Sequence, residues 1–280
     1  GLYEIEGLED RREAHVQTVW GAPSDMLVRG HIGPVELVFL PRHGRGHRLS
    51  PSTVPYRANI AALKAAGVTD IVSISACGSL KEQYVPGHFV AVDQFIDRTV
   101  ARESTFFGPG MVAHVSMARP VCSRLSALAA EAAEGAGVTL HRGGTYLAME
   151  GPQFSSLAES QLYRQWGCDV IGMTAMPEAK LAREAELPYA TLAMVTDYDC
   201  WREAEEAVNV TNVLEIMGRN SALARRTVVE LALRLAEIPR TPSPDGIDTC
   251  LDHALITAPA ARDPAMLEKL QVIAGRALDG

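Results

Sequence analysis

Four short runs of polar and glycine residues carry side chains suited to binding or catalysis. The first, residues 42–47 with the sequence RHGRGH, follows an apolar stretch at 35–40. Arginine presents a rigid fork of donors that suits phosphate, histidine adds a further donor, and glycine lets the backbone approach a ligand closely. This run therefore indicates an anion site, with a solvated basic turn as the alternative.

The second and third runs could bind an oxyanion and a flat ring. Residues 75–79, SACGS, end an apolar stretch with small side chains, which leaves backbone N–H groups and a hydroxyl available to an oxyanion. Residues 150–155, EGPQFS, place Phe154 beside Gly-Pro, where its ring could form one face of a slot for a planar ligand. A tight exit from a strand and ordinary core packing of Phe154 are the alternatives.

The fourth run, residues 196–201 with the sequence TDYDCW, carries two carboxyl groups directly after an apolar stretch. Asp197 and Asp199 are two residues apart, so their side chains point to the same side of an extended chain. Crowding and burial would raise the pKa of one of them and make it a proton donor near neutral pH. The alternative is an exposed acidic turn, although no fuller calcium-loop pattern surrounds the run.

Alternating strand-like and helical stretches must position these runs. Sequence patterns predict extended segments at 71–75, 88–97, 138–150, 169–173 and 189–196, and helices at 57–67, 120–136, 156–166 and 209–238. This alternation predicts the α/β class with a substantial sheet. Because ligands bind beyond the carboxyl ends of strands in such folds, we expect the polar groups there to converge. The prolines and glycine at 239–248 predict a linker, followed by a helical tail at 249–280.

Composition argues against several classes of protein. The 26 basic and 34 acidic residues give a net charge of −8, which leaves no basic surplus for nucleic acid, although an acidic protein can contain a local anion site. Five cysteines, each at least 32 residues from the next, fit neither a zinc site nor a disulfide scaffold, so we expect reduced cysteines in a cytoplasmic protein. The sequence predicts no membrane helix and no metal site, and no leader is visible in it, with earlier removal of an upstream leader as the alternative.

In this order, the four runs resemble the trimeric purine nucleoside phosphorylase family, and within it the branch that acts on S-methyl-5′-thioadenosine. The resemblance covers roughly residues 1–236, and 239–280 has no close match. Further matching stretches are PYRAN at 55–59, ACGSL at 76–80, DQFIDRT at 93–99, EGPxFS at 150–155 and GMT at 172–174. The resemblance implies a central mixed, twisted β-sheet flanked by helices, one nucleoside phosphorylase domain over 1–238, and a homotrimer or a dimer of trimers.

The activity that this resemblance implies is phosphorolysis of S-methyl-5′-thioadenosine to adenine and 5-methylthioribose 1-phosphate. Inorganic phosphate is a co-substrate and no cofactor is needed. Phosphate attacks the anomeric carbon, which develops oxocarbenium character, and an acid at purine N7 prevents departure of a bare anion. The alternatives are an adenosine or broad-specificity purine nucleoside phosphorylase, a hydrolytic nucleosidase and a non-catalytic nucleoside-binding protein.

The resemblance also implies roles for individual residues. The phosphate shell comprises Arg42, His43, Ser75, Thr174 and the backbone of Ala76, and Met173 lies under the ribose. The base site comprises Phe154, Ser155, Asp197 and Asp199, where Asp197 is the acid at N7 and Asp199 accepts from the exocyclic amine. Relatives that take 6-oxopurines carry Asn in place of Asp197 and Glu in place of Ser155, so this chain is expected to prefer adenine.

For the 5′ substituent, the resemblance implies a pocket formed by His47, Val210, Val213, Leu214 and His114 from a neighbouring subunit. The helical spacing of the three aliphatic residues gives one apolar wall, with core packing of Val213 and Leu214 as the alternative. Such a pocket favours methylthio over hydroxyl by about 1–3 kcal/mol.

The start of the chain resembles the end of the family's first phosphate-binding loop. In the family, a strand and a Gly-Gly-[Ser/Thr]-Gly loop come first, and the hydroxyl residue of that loop binds phosphate. Gly1 and Leu2 match the end of this loop, so the preceding strand and hydroxyl residue are missing from the sequence. We expect their deletion to impair phosphate binding.

Overall fold

Ten strands form two sheets in the described part of the chain. The structure is a computed structural model that describes Leu2, residues 4–202 and residues 210–278, without the side chains of 210–213. A three-stranded antiparallel sheet contains β1 (Glu9–Ala14), β2 (Leu27–Ile32) and β3 (Val35–Phe39). The central sheet contains β4 (Ile71–Ser79), β5 (Phe89–Val92), β6 (Gln94–Asp97), β7 (Leu140–Arg142), β8 (Thr145–Ala148), β9 (Val170–Gly172) and β10 (Tyr189–Asp197).

The central sheet has the strand order β6-β8-β9-β4-β10-β5-β7. The pairs β4–β10 and β8–β9 are parallel, whereas β5–β10 and β4–β9 are antiparallel. The predicted mixed sheet of an α/β protein is therefore confirmed.

Six α-helices occur in the described residues. They are α1 (Tyr56–Ala65), α2 (Ser123–Gly135), α3 (Leu157–Gln165), α4 (Glu178–Glu184), α5 (Val210–Glu237) and α6 (Pro264–Leu278). Two local signals in the sequence are confirmed: Gly67, with φ +84°, follows the end of α1, and Ser156 and Glu159 form a reciprocal capping box at the start of α3. Within the described ranges, no helix is long and apolar enough to cross a membrane.

The position of the site depends on the pairing of β4 with β10. The two strands run parallel, with Cys77 opposite Val195, so their carboxyl ends lie side by side. All residues of β10 except the last are buried, which explains its largely apolar sequence. The register shifts after Val195, and Asp197 then lies opposite Gly78. Such a bulge changes the direction of the side chains that follow it and is common beside functional sites.

Two predicted extended segments are each divided in the structure. Residues 88–97 form β5 and β6, and β5 pairs with β10 and β7 whereas β6 pairs with β8. Asp93 lies between them, and its Oδ1 accepts a hydrogen bond from the Gly144 N–H at 3.0 Å. Residues 138–150 form β7 and β8, separated by Gly143 and Gly144 with φ values of +80° and +141°. The single strand predicted at 88–97 is therefore wrong, because the same apolar pattern continues through the break.

The residues after α5 pack against the rest of the chain. In the segment 239–248, Arg240 donates hydrogen bonds of 2.6 Å to the carboxylates of Asp70 and Asp248. Further along, α6 buries one face in the main apolar cluster of the molecule. The division of the chain into a domain, a linker and a tail stays a prediction.

Candidate active site

A cavity of about 470 Å³ lies where β4 and β10 end. The segments that follow β3, β9 and β10 and the loop before α3 also contribute to its wall. Ten of the residues singled out from the sequence line it: Arg42, His43, His47, Ser75, Ala76, Phe154, Met173, Thr174, Asp197 and Asp199. The structure thus brings residues from all four runs into one place.

Five residues predicted for the site do not line the cavity or lie outside the described side chains. Ser155 is half-buried and does not line the cavity itself, although its hydroxyl lies 3.6 Å from Sδ of the lining residue Met149. His114 is exposed and lines a separate depression of the surface. Leu214 is 60% exposed, and the side chains of Val210 and Val213 lie outside those described. A single copy of the chain therefore does not bring His114 to the cavity.

Arg42 is held by acceptors from three segments. Its Nε and Nη2 donate to the two carboxylate oxygens of Glu178 at 2.6 and 2.9 Å. Its Nη2 also donates to the Ser73 hydroxyl at 2.6 Å, and its Nη1 donates to the Thr174 hydroxyl at 3.1 Å. Burial alone would lower the pKa of Arg42, but the charge and hydrogen bonds of Glu178 raise it above its ordinary value, so the guanidinium stays charged.

His43 is oriented by a backbone carbonyl. Its Nδ1 lies 2.8 Å from the Leu49 carbonyl oxygen, which can only accept, so Nδ1 carries the hydrogen. The ring stacks on that of His47, with centroids 4.2 Å apart and planes 10° apart. Burial lowers the pKa of His43, which favours the neutral ring at pH 7. The sequence suggested His43 as a further donor, but a neutral ring in this tautomer has only an acceptor left at Nε2.

The two carboxyl groups at the end of β10 differ in their surroundings. Asp197 accepts hydrogen bonds from the Thr196 hydroxyl at 2.7 Å and from the Asp199 N–H at 2.8 Å. Asp199 is 7% exposed, and its Oδ2 has no hydrogen-bond partner among the described residues. Burial raises the pKa of Asp199 above its ordinary value. The pair therefore combines a half-buried carboxylate that accepts two hydrogen bonds with a buried carboxyl group that favours its protonated form.

Two glycines allow the walls of the cavity to approach each other closely. A Cβ atom on Gly78 would lie 2.9 Å from Oδ1 of Asp197. A Cβ atom on Gly151 would lie 2.5 Å from Sδ of Met173, and Gly151 also has a φ of +65°. Glycine is therefore needed beside the carboxyl pair and beside the side chain predicted to lie under a sugar.

Arg102 is a structural residue of the site that sequence reasoning missed. Its side chain is 1% exposed. It donates to the carbonyl oxygens of Met173 at 2.5 Å, Met176 at 2.6 Å and Glu150 at 2.6 Å. Arg102 thus joins the cavity wall at Met173 to the start of the loop that carries Phe154. It does not follow a strand directly, so no strand-end signal could have found it.

Helix α5 supplies a wall that sequence reasoning also missed. Met217, Ser221 and Arg225 line the cavity from this helix. The residues predicted from the sequence on this helix, Val210, Val213 and Leu214, all lie within its first five residues. No group of three or more His, Cys, Asp or Glu side chains that could hold a metal ion occurs among the described residues.

Comparisons with known proteins agree with this geometry. A family model described as the phosphorylase superfamily matches residues 6–232. The S-methyl-5′-thioadenosine phosphorylase of Cereibacter sphaeroides is 61% identical over 100% of this chain and 96% of its own length. That of Bradyrhizobium diazoefficiens is 56% identical with the same coverage of 100% and 96%.

Solved structures give the same result. A methylthioadenosine phosphorylase from an antarctic soil metagenomic library has a TM-score of 0.91 and 45% identity, over 98% of this chain and 95% of its own. A methylthioadenosine phosphorylase from Schistosoma mansoni in complex with adenine has a TM-score of 0.85 and 37% identity, over 89% and 95% of the two chains. The resemblance found in the sequence is thereby confirmed. The matching sequence and fold show that this chain belongs to the phosphorylase superfamily.

Proposed function

We propose that the protein catalyses phosphorolysis of S-methyl-5′-thioadenosine, a pentosyl transfer that yields adenine and 5-methylthioribose 1-phosphate. The observation that carries this proposal is one cavity that contains both the donors around Arg42 and the carboxyl pair of Asp197 and Asp199. The names of relatives that match over nearly their whole length support the same activity. So does the adenine bound in a structurally similar phosphorylase.

The phosphate end of the reaction uses directed donors. Arg42 supplies its guanidinium, and Ser75, Thr174 and the Ala76 backbone line the same wall. A neutral His43 accepts the hydrogen of a phosphate hydroxyl at Nε2, because its Nδ1 hydrogen is bound by the Leu49 carbonyl. These groups orient a phosphate oxygen toward the anomeric carbon, and such orientation is a large part of catalysis in a bimolecular reaction.

In the chemical step, a phosphate oxygen forms a bond to C1′ while the bond from C1′ to purine N9 breaks. The electron pair of the broken bond passes to the purine, and the ribosyl group carries positive charge in the transition state. Met173 packs under the ribose, close to Gly151. A proton at N7 neutralises the charge that accumulates on the leaving purine, and general acid help of this kind contributes about 10²–10⁴-fold.

The base end recognises adenine through complementary hydrogen bonds. Adenine offers N6–H₂ as a donor and N7 as an acceptor. Oδ2 of Asp199 is buried without a hydrogen-bond partner among the described residues. The N6 amine of adenine supplies that partner, and its hydrogen bond favours the ionised form of Asp199. Since neighbouring carboxyl groups share protons as a pair, ionised Asp199 favours a proton on Asp197, which then donates to N7. Phe154 forms the wall against the ring, with Ser155 next to it.

The 5′ methylthio group is proposed to contact residues at the start of α5 and two histidines. We infer that Val210, Val213, Leu214 and His47 surround the methylthio group, together with His114 of a neighbouring subunit in a homotrimer. The exposure of Leu214 and His114 in a single chain supports this inference, because both side chains are available for such contacts. The cytoplasmic location expected from the cysteine spacing stays a prediction.

A substrate panel tests the proposal. Release of the free base is measured from S-methyl-5′-thioadenosine, adenosine and inosine at equal concentrations. We expect the adenine nucleosides to be cleaved and inosine to be rejected by several orders of magnitude, because a site built to pair with N6–H₂ leaves polar groups unpaired beside O6. A preference for inosine would overturn the assignment of Asp197 and Asp199. Equal rates with adenosine and its methylthio analogue would favour a general adenosine phosphorylase.

A further inference from the structure

Glu178 lies behind Arg42 and faces it with both carboxylate oxygens. The side chain of Arg42 is 14% exposed and that of Glu178 is 10% exposed, so the pair is largely shielded from water. The parallel hydrogen bonds from Nε and Nη2 fix the plane of the guanidinium group as well as its position. Glu178 is the first residue of α4, which places it on a rigid element just after the wall residue Thr174.

Tyr189 donates a second hydrogen bond to the Glu178 oxygen that Nη2 of Arg42 also binds. Its hydroxyl donates to Oε1 of Glu178 at 2.9 Å, and the residue is 1% exposed at the start of β10. Burial raises the pKa of Tyr189 well above its ordinary value, so the hydroxyl remains a donor at neutral pH. The carboxylate of Glu178 is thus fixed between a central strand and the guanidinium of Arg42.

The direction of the remaining donor follows from this arrangement. Glu178 and Ser73 accept from Nε and Nη2 of Arg42, and Nη1 is directed to Thr174 on the cavity wall. The charge of Glu178 also balances that of Arg42, so the pair adds little net charge to the cavity. An anion at this wall is therefore held mainly by oriented donors, whose strength depends steeply on angle and distance.

We propose that Glu178, supported by Tyr189, is a positioning residue that orients Arg42 toward inorganic phosphate. The proposal rests on the proposed function, because it takes phosphate as the anion of this cavity. Glu178 touches neither substrate in this arrangement and acts only through Arg42. Its loss should therefore weaken the use of phosphate and leave recognition of the nucleoside nearly unchanged.

Three variants separate positioning from general damage to the fold. Glu178→Asp keeps the charge but shortens the side chain by one methylene, and Tyr189→Phe removes only the hydroxyl. The control is Glu186→Asp, which changes another buried glutamate. Glu186 accepts hydrogen bonds from Nε and Nη2 of Arg276 at 2.7 and 2.6 Å, as Glu178 does from Arg42. Neither Glu186 nor Arg276 lines the cavity.

The experiment measures KM for phosphate, KM for S-methyl-5′-thioadenosine and kcat, together with the rise in Tm that inorganic phosphate causes. We expect Glu178→Asp to raise the phosphate KM by about tenfold or more, as for a misplaced hydrogen bond to a charged group, and to diminish the phosphate-induced rise in Tm. Tyr189→Phe should raise the phosphate KM by about two- to tenfold. For both variants the nucleoside KM should stay within about twofold of the wild type, and Glu186→Asp should keep both KM values.

An unchanged phosphate KM in Tyr189→Phe and Glu178→Asp would overturn the positioning role. Equal increases in both KM values, or the same increase in Glu186→Asp, would also overturn it, because they indicate a general effect on the fold. If Glu178→Asp does not fold, the phosphate KM of Tyr189→Phe decides alone. Turnover of the wild type without phosphate would instead contradict the proposed function, so the two failures are distinguishable.

Discussion

Replacing Gly78 with alanine tests whether the carboxyl pair must be held in its observed position. The added Cβ would lie 2.9 Å from Oδ1 of Asp197, 3.1 Å from Cγ2 of Ile171 and 3.4 Å from Cβ of Asp199. The Asp197 carboxylate cannot turn away freely, since it accepts hydrogen bonds from Thr196 and from the Asp199 backbone. The strand and the carboxyl pair must therefore move apart.

The size of this movement follows from ordinary contact distances. Carbon and oxygen atoms in close contact are about 3.3–3.6 Å apart, so the methyl group requires a displacement of about 0.4–0.7 Å. A displacement of about 1 Å in an active site can cost about 10²-fold in rate, so we expect kcat/KM to fall by about tenfold. Overpacking of this kind also lowers the free energy of unfolding by about 1–3 kcal/mol.

The assay compares kcat/KM for S-methyl-5′-thioadenosine and the Tm of wild type, Gly78→Ala and the control Gly218→Ala. An added Cβ on Gly218 would meet no atom within 4 Å, so this exposed helical glycine offers the same substitution without crowding. We expect the control to keep wild-type activity. Wild-type kcat/KM in Gly78→Ala would refute the claim that the position of the carboxyl pair limits the reaction.

Three further outcomes are expected. Asp197→Asn should lose about 10²–10⁴-fold in kcat on adenine nucleosides, and wild-type rates would contradict its role as proton donor. Gly218→Ala should raise the free energy of unfolding by about 0.5–1 kcal/mol in denaturant titrations, because alanine favours the interior of α5, and a loss of stability would contradict this. Burial raises the pKa of Asp199, so the wild type should lose stability relative to Asp199→Asn as pH rises from about 4 through that raised pKa. The burial argument would be contradicted if the Tm of the wild type did not fall relative to that of Asp199→Asn across this pH range.

The local signals in the sequence predicted most of what surrounds the cavity. Gly67 and the Ser156–Glu159 pair predicted helix ends, because capping depends on neighbouring residues only. The polar runs at 75–79 and 196–199 predicted a shared wall, because the carboxyl ends of neighbouring parallel strands meet. Ten residues named from these runs and from the family resemblance line one cavity.

Other features depend on contacts between distant parts of the chain. Glu178 is 136 residues from Arg42, and no local pattern predicts that the two side chains meet. Arg102 binds the Met173 carbonyl across 71 residues, from a segment without regular structure. The break between β5 and β6 depends on different partner strands, which an apolar pattern along one segment does not reveal.

The most direct test of the central claim is the identity of the sugar product. The wild-type protein is incubated with S-methyl-5′-thioadenosine with and without inorganic phosphate, and the products are identified by phosphorus NMR and chromatography. We expect adenine and 5-methylthioribose 1-phosphate in equal amounts, and no turnover without phosphate. Free 5-methylthioribose formed at the same rate without phosphate would contradict this expectation and would identify the protein as a hydrolase.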